Sequence, residues 1–248
     1  MGSIRPFPRK GAHTIADVWR VATVAVGGAA RVRPARLEDY AAVRAVERAA
    51  LPGMTPLTLR QFEARRLAFP EGQWIAESDG AIAGAGSSMV VRWDDHAVAH
   101  TWSGITGDGT FITHDPQGRT LFGCDLVADT TRHGYGVARA LQQARRRLCR
   151  RLNLRRVAAA VRMPRYGAVR EAMPPDLYAK RVIWGELEEP LLAFHLVQGF
   201  QYCGILHGYQ PEDTESGGHA ALLVWLNPLY TPPEPGAFAC SERPRKCA

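Results

Sequence analysis

"TRHGYGVARAL", residues Thr131 to Leu141, sets two glycines directly ahead of an amphipathic run that otherwise reads as a helix. On one side lies the short apolar segment "TLFGCDLVA" (120–128), and on the other "LRRVAAAV" (154–161). Strand, helix, strand is the unit that builds parallel pairing. A strand ending near Ala128, a glycine-punctuated turn and a helix beginning near Gly136 would aim unpaired N–H groups at one point. There the helix dipole adds partial positive charge, so the point favours phosphate. Gly134 and Gly136 would let the main chain approach an anion closely, with Arg132 and His133 adding side-chain contacts. A plain strand-to-helix turn reads from the same spacing equally well. No Gly-Lys-Ser/Thr follows, so it is not a Walker loop, and a dinucleotide fingerprint lacks both its third glycine and its later acid. Arg155 and Arg156 stand where that acid would be.

Working outward, "RVRPARLEDY" gives a short strand and then a helix with Leu37, Tyr40, Val43, Val46 and Ala50 at helical spacing, ended by Pro52. Glu38 and Asp39 occupy its first turn, where the dipole favours acids. A second helix runs from Thr58 as N-cap, with Leu59, Phe62, Leu67 and Phe69 expected on one side and Pro70 closing it. "QWIAESDGAIAGAGSSMVVRW" reads as two strands joined at Asp79–Gly80. The stretch Asp94 to Arg119 is longer than a plain connection and is expected to cover or shape a pocket. Pro174 to Trp184 and Pro190 to Gln198 read as helices with proline at favoured first positions. "YCGILHGY" and "AALLVWL" supply the last strands, and the proline-rich tail from Pro232 reads as disordered.

The chain has 248 residues, 46% of them hydrophobic, enough for a substantial core. Its formal charge is +7, carried almost wholly by arginine, since lysine stands only at 10, 180 and 246. Such an excess is a weak nucleic-acid signal. The cluster Arg145, Arg146, Arg147, Arg150 and Arg151 lacks interleaved aromatics and is read as a solvated helical face. Trp74, Trp93, Trp102, Trp184 and Trp225 are read as core or pocket walls. Five cysteines without a CxxC pair argue against a disulfide framework and against a zinc site, so no metal is expected and a reducing cytoplasm fits. No segment approaches the roughly 20 apolar residues of a membrane span. "VATVAVGGAA" (21–30) is separated from the charged cluster of a secretory signal and is read as an extra strand or loose extension, with residues 1–30 preceding the domain.

The order of elements, with "RHGYGVARAL" and the later "AFHLVQGF", resembles the GNAT acyltransferase superfamily, whose signature is Arg/Gln-x-x-Gly-x-Gly/Ala. It falls here on His133, Gly134, Tyr135, Gly136, Val137 and Ala138, with His in first place and Arg132 just before it. "ITGDGTFITHDPQGRTLFG", "NLRRVAAAVRMPRYG" and "HAALLVWLNPLY" are similar to the acetyltransferase-like domain that precedes a carbon-nitrogen hydrolase domain in some bacterial fusion proteins. The resemblance covers about residues 31–231 and leaves 232–248 as tail.

It implies an α/β fold: a mixed, mostly antiparallel sheet with a central splayed parallel pair, flanked by helices. It also implies acetyl-CoA as acyl donor, its pyrophosphate on Arg132 to Ala138 and its pantetheine between the splayed strands. The thioester would sit near Leu126, Val127 and Ala128, where a main-chain N–H can stabilise an oxyanion. An attacking amine must lose its proton, and Asp125 is the first candidate base, His114 the second. Asp125 also reads as a solvent-facing or salt-bridged strand residue, and His114 as a surface one. Where the family often places a tyrosine acid, four residues before Gly199, this chain has His195. Imidazole can donate to a thiolate, yet a packed helix histidine reads equally well, and Tyr178 is an alternative acid. Two functions follow: an N-acetyltransferase acting on an amine of a small molecule or peptide, or a non-catalytic acyl-CoA-binding or regulatory module. No nucleic-acid or membrane partner is expected, and a homodimer stays open.

Overall fold

Asp79 and Gly80 both take positive φ, 51° and 75°, and turn the strand β2 (Gln73–Ser78) tightly into β3 (Ala81–Val91). Such two-residue turns match the natural twist of a hairpin. The computed structural model describes residues 30–93, 99–131 and 134–232; residues 1–29 of the expected N-terminal extension, 233–248 of the expected tail and Asp94 lie outside them. Around the hairpin, a seven-stranded sheet forms among the described residues, in the order β1-β2-β3-β4-β5-β7-β6. Its other members are β1 (Arg31–Pro34), β4 (Thr120–Ala128), β5 (Arg156–Arg162), β6 (Gln201–Leu206) and β7 (Ala220–Leu226). Every neighbouring pair is antiparallel except β4 with β5.

The parallel pair needs a crossover, and the helix α4 (Gly134–Arg151) provides it; the numbering follows from α1 (Tyr40–Ala50), α2 (Leu59–Ala68) and the short α3 (Trp102–Thr106). Two later helices are α5 (Pro175–Ile183) and α6 (Pro190–Val197). Val137, Leu141 and Leu148 of α4 are fully buried, each contributing roughly 2 kcal/mol of apolar burial. A Cβ at Gly84 of β3 would meet Val137 at 2.5 Å, so the missing side chain lets α4 lie directly on the sheet. α6 joins α4 on that face, the Tyr135 and Phe194 rings meeting edge to face at 5.4 Å. The opposite face carries α1 and α2 over a smaller core of Val43, Phe62 and Ile75.

α2 begins as expected: Thr58 and Gln61 form a reciprocal capping box. Its buried side differs from the expected one, because Leu67 is 85% exposed and Leu59 lies outside the core, while Phe62 and Arg65 turn inward. Two of the apolar residues were therefore misleading, and a charged residue holds the core position. Trp184 is likewise exposed rather than a wall, whereas Trp74 and Trp225 are buried. No helix among the described residues is long and apolar enough to cross a membrane.

Candidate active site

The parallel ladder begins at Thr120–Arg156 and stops at Gly123–Ala159. Beyond it, Leu126, Val127 and Ala128 pair only with Gly86, Ala85 and Gly84 of β3, and Ala160 to Arg162 only with β7. The two central strands therefore splay where β4 approaches the start of α4. After β4, the Asp129 carboxylate accepts from the Thr131 N–H at 2.9 Å and turns the chain. Arg132 and His133 lie outside the described residues. A Cβ at Gly134 would stand 2.9 Å from the Asp129 carbonyl oxygen, so this glycine closes the turn. A Cβ at Gly136 would meet nothing within 4 Å: it borders open space at the first turn of an 18-residue helix with no acid there. Tyr135 and Ala138 are partly exposed on the same turn, and Val137 points into the core.

The ladder ends at a bulge. Ser87 pairs with Asp125 and Ser88 with Gly123, so Cys124 is surplus in β4. Arg145 of α4 fastens this irregularity. Its Nη2 donates to the carbonyls of Ser87 (3.1 Å) and Asp125 (2.7 Å), its Nε to Ser88 Oγ (2.9 Å) and its Nη1 to Gln142 Oε1 (2.9 Å). A side chain at Gly123 would press on the guanidinium at 2.7 Å. The expected solvated face is thus corrected: Arg145 is fully buried, and burial lowers its pKa to about 10. Arg146 stacks over Trp225 and Phe200, at 5.0 and 5.6 Å, which extends the correction. Sequence spacing puts these arginines on a polar run because it cannot see the carbonyls that the bulge exposes.

On the α1–α2 side of β4 lies a cleft lined by Val127, Asp125, Ser87, Arg65 and Glu47. Asp125 forms an ion pair with Arg65 and accepts from Ser87 Oγ at 3.3 Å. It is a salt-bridged strand residue, one of the two readings its sequence position left open. Arg65, 1% exposed, also donates from Nε to the Gly109 carbonyl at 2.8 Å, and its guanidinium lies 4.6 Å from the Phe111 ring. The stretch before β4 therefore holds the guanidinium in place through Gly109 and Phe111.

Glu47 faces the same cleft and was not legible as a site residue. It is 7% exposed, and its Oε2 accepts from the Leu57 N–H at 3.1 Å. Burial, and then the charge of Asp125, push its carboxyl up to about 7 against the opposing pull of the Leu57 amide, Arg65 and Arg44. The available signal was its place four residues after Val43 on an apolar stripe, where a carboxylate breaks the pattern.

The expected acids stand elsewhere. His195 is buried between Phe194 and Phe200, with ring centroids at 5.1 and 5.4 Å. Its Nδ1 lies 2.9 Å from the Leu191 carbonyl, which can only accept, so that nitrogen carries the proton. Burial brings its pKa down to about 4, leaving a neutral ring whose N–H is already engaged. Tyr178 is buried and donates to Glu189 Oε2 at 3.2 Å. His114 stacks on Phe69 at 4.6 Å and accepts from the Val90 N–H at 3.1 Å. It lies beside the beginning of β4, at the far end from Ala128, in a separate hollow with Arg119 and Tyr230.

No family model matches the chain. The probable hydrolase YhcX of Bacillus subtilis (strain 168) is 32% identical over 201 residues, 81% of this chain; the chain spans only 39% of that protein's length. The uncharacterized N-acetyltransferase YkwB of the same organism is 28% identical over 162 residues, 65% of this chain and 71% of its own. Among solved structures, the GphF GNAT-like decarboxylase in complex with isobutyryl-CoA superposes with a TM-score of 0.68 at 24% identity, over 79% of this chain and 99% of that one. A mixed sheet with one parallel pair that parts beyond its ladder, flanked by helices, is the architecture of these GNAT-like neighbours. By fold the chain is GNAT-like.

Proposed function

We propose that the chain is an N-acetyltransferase that moves an acetyl group from acetyl-CoA to an amine of a small molecule or peptide. The observation that carries this reading is the coincidence of two features: a parallel ladder that ends at Gly123–Ala159, and Gly136 bordering open space where the splayed strand leads into α4. Arg132, His133, Gly134, Tyr135, Gly136, Val137 and Ala138 would hold the diphosphate, mainly by main-chain N–H groups at a helix start free of acids. The pantetheine amides would bond the backbone that β4 and β5 leave unpaired between them, at Leu126, Val127 and Ala128. A main-chain N–H of that stretch would receive the oxyanion as it forms. Asp125, ion-paired with Arg65, would face the amine rather than accept its proton freely. The N-acetyltransferase YkwB among the relatives supports the reaction class.

A second reading keeps acyl-CoA binding without amine transfer. It is favoured by the neutral, engaged state of His195 and the bonded state of Tyr178, neither poised as an acid, and by a fold neighbour named as a decarboxylase. Calorimetry with acetyl-CoA, combined with thiol release over a panel of amines, separates the two. Binding with release supports the transferase, and binding without release from any amine supports the second reading. Absence of binding removes both.

A further inference from the structure

Glu47 has no part in the acyltransferase signature, yet it is the carboxyl in the cleft that no cation grips. Asp125 is tied to Arg65 and Ser87, and a proton taken up there would leave a cation that is 1% exposed without its counter-charge. Glu47 is held instead by one backbone amide, that of Leu57, which accommodates either protonation state of a carboxyl with little rearrangement. The charged groups acting on it are Asp125 from β4, Arg65 from α2 and Arg44 from its own helix. It lines the same cleft as Val127, in the stretch of β4 assigned to the thioester.

We propose that Glu47 is the base that takes the proton from the acceptor, and that the acceptor is an amine that enters as its ammonium ion. This rests on the transferase reading. The Glu47 carboxylate removes one proton from the ammonium nitrogen, and the freed lone pair forms the C–N bond at the thioester carbonyl. As the tetrahedral adduct collapses, the C–S bond breaks with its electrons on sulfur, the nitrogen loses its second proton, and the thiolate takes one up. Ammonium and thioester thus become amide, thiol and one released proton. The placement suits a proton carrier, because burial and the nearby Asp125 charge bring the carboxyl to about 7, where it can both accept and release a proton at neutral pH.

The unaltered protein is treated at pH 7 with a water-soluble carbodiimide and glycinamide, and the coupled residues are mapped by mass spectrometry. A carbodiimide activates the protonated carboxyl, so Glu47 is expected to couple at pH 7 and to stop by pH 9. Failure to couple overturns the inference, because the group is then either not reachable from the cleft or not protonated. In parallel, Glu47→Gln is assayed for acetyl-CoA binding and for thiol release with amines the unaltered protein accepts. The expected result is unchanged affinity, release slowed by about 100-fold or more, and loss of the rate limb near pH 7, with Glu47→Asp restoring part of the rate. Release by Glu47→Gln at the unaltered rate overturns the base while leaving the transferase standing. No acetyl-CoA binding, or no release from any amine by the unaltered protein, overturns both.

Discussion

Glu47→Gln also gives a stability measurement that needs no substrate. Glutamine keeps an oxygen for the Leu57 N–H but cannot ionise. In the folded protein the Glu47 carboxyl sits near 7, against 4.5 for the free side chain, so between those pH values the folded state binds more protons than the unfolded one. Stability therefore falls as pH rises through that window. The full shift corresponds to about 3 kcal/mol, of which about 2 to 3 kcal/mol develops between pH 5 and pH 8. Urea unfolding of both proteins at the two pH values isolates the effect, because the other titrating groups cancel in the difference. Glu47→Gln is expected to gain about 2 to 3 kcal/mol on the unaltered chain between pH 5 and pH 8. A difference that stays flat, or moves the other way, refutes the picture of a buried carboxyl pressed by Asp125.

Gly136→Asp sets a carboxylate beside the proposed diphosphate, in space that is open; acetyl-CoA affinity by calorimetry should be abolished while the unfolding curve hardly moves. Gly123→Ala drives a methyl group against the Arg145 guanidinium and should cost about 1 to 3 kcal/mol in urea unfolding, with no effect meaning that the bulge is not pinned there. His195 should show no imidazole titration between pH 6 and pH 8 by NMR. Its folded pKa of about 4 lies below the usual 6.5, so its contribution to stability is complete above 6.5 and is lost as pH falls towards 4. A midpoint between pH 6 and pH 8 would contradict its burial.

The framework was legible where local chemistry is self-contained. Thr58 with Gln61, Asp79–Gly80 and Gly134 each fix a backbone event through their own side chains or lack of them. The interior of the site was not, because its charged members are defined by distant partners. Arg65 stands three residues after Phe62 and Arg145 three after Gln142, and each reads as a polar helix position until Asp125, Gly109, Ser87 and Ser88 come into contact with it. Glu47 is hidden in the sequence for the same reason, since Asp125 and Leu57 define its state. His195 shows the reverse case: four residues before Gly199 it reads as placed for chemistry, yet the aromatic rings around it decide its state.

Cys124 makes β4 one residue longer than its partner needs, and that surplus has a genetic consequence. Gly123 and Leu126 look toward α4, while Asp125 and Val127 look toward the cleft. Excising Cys124 alone would leave each of those four on its present side, since Gly123 and Asp125 would then simply alternate. The loss would fall on the bend, letting the two central strands zip together past Ala159. One codon would thus separate a sheet with a mouth from the same sheet sewn shut.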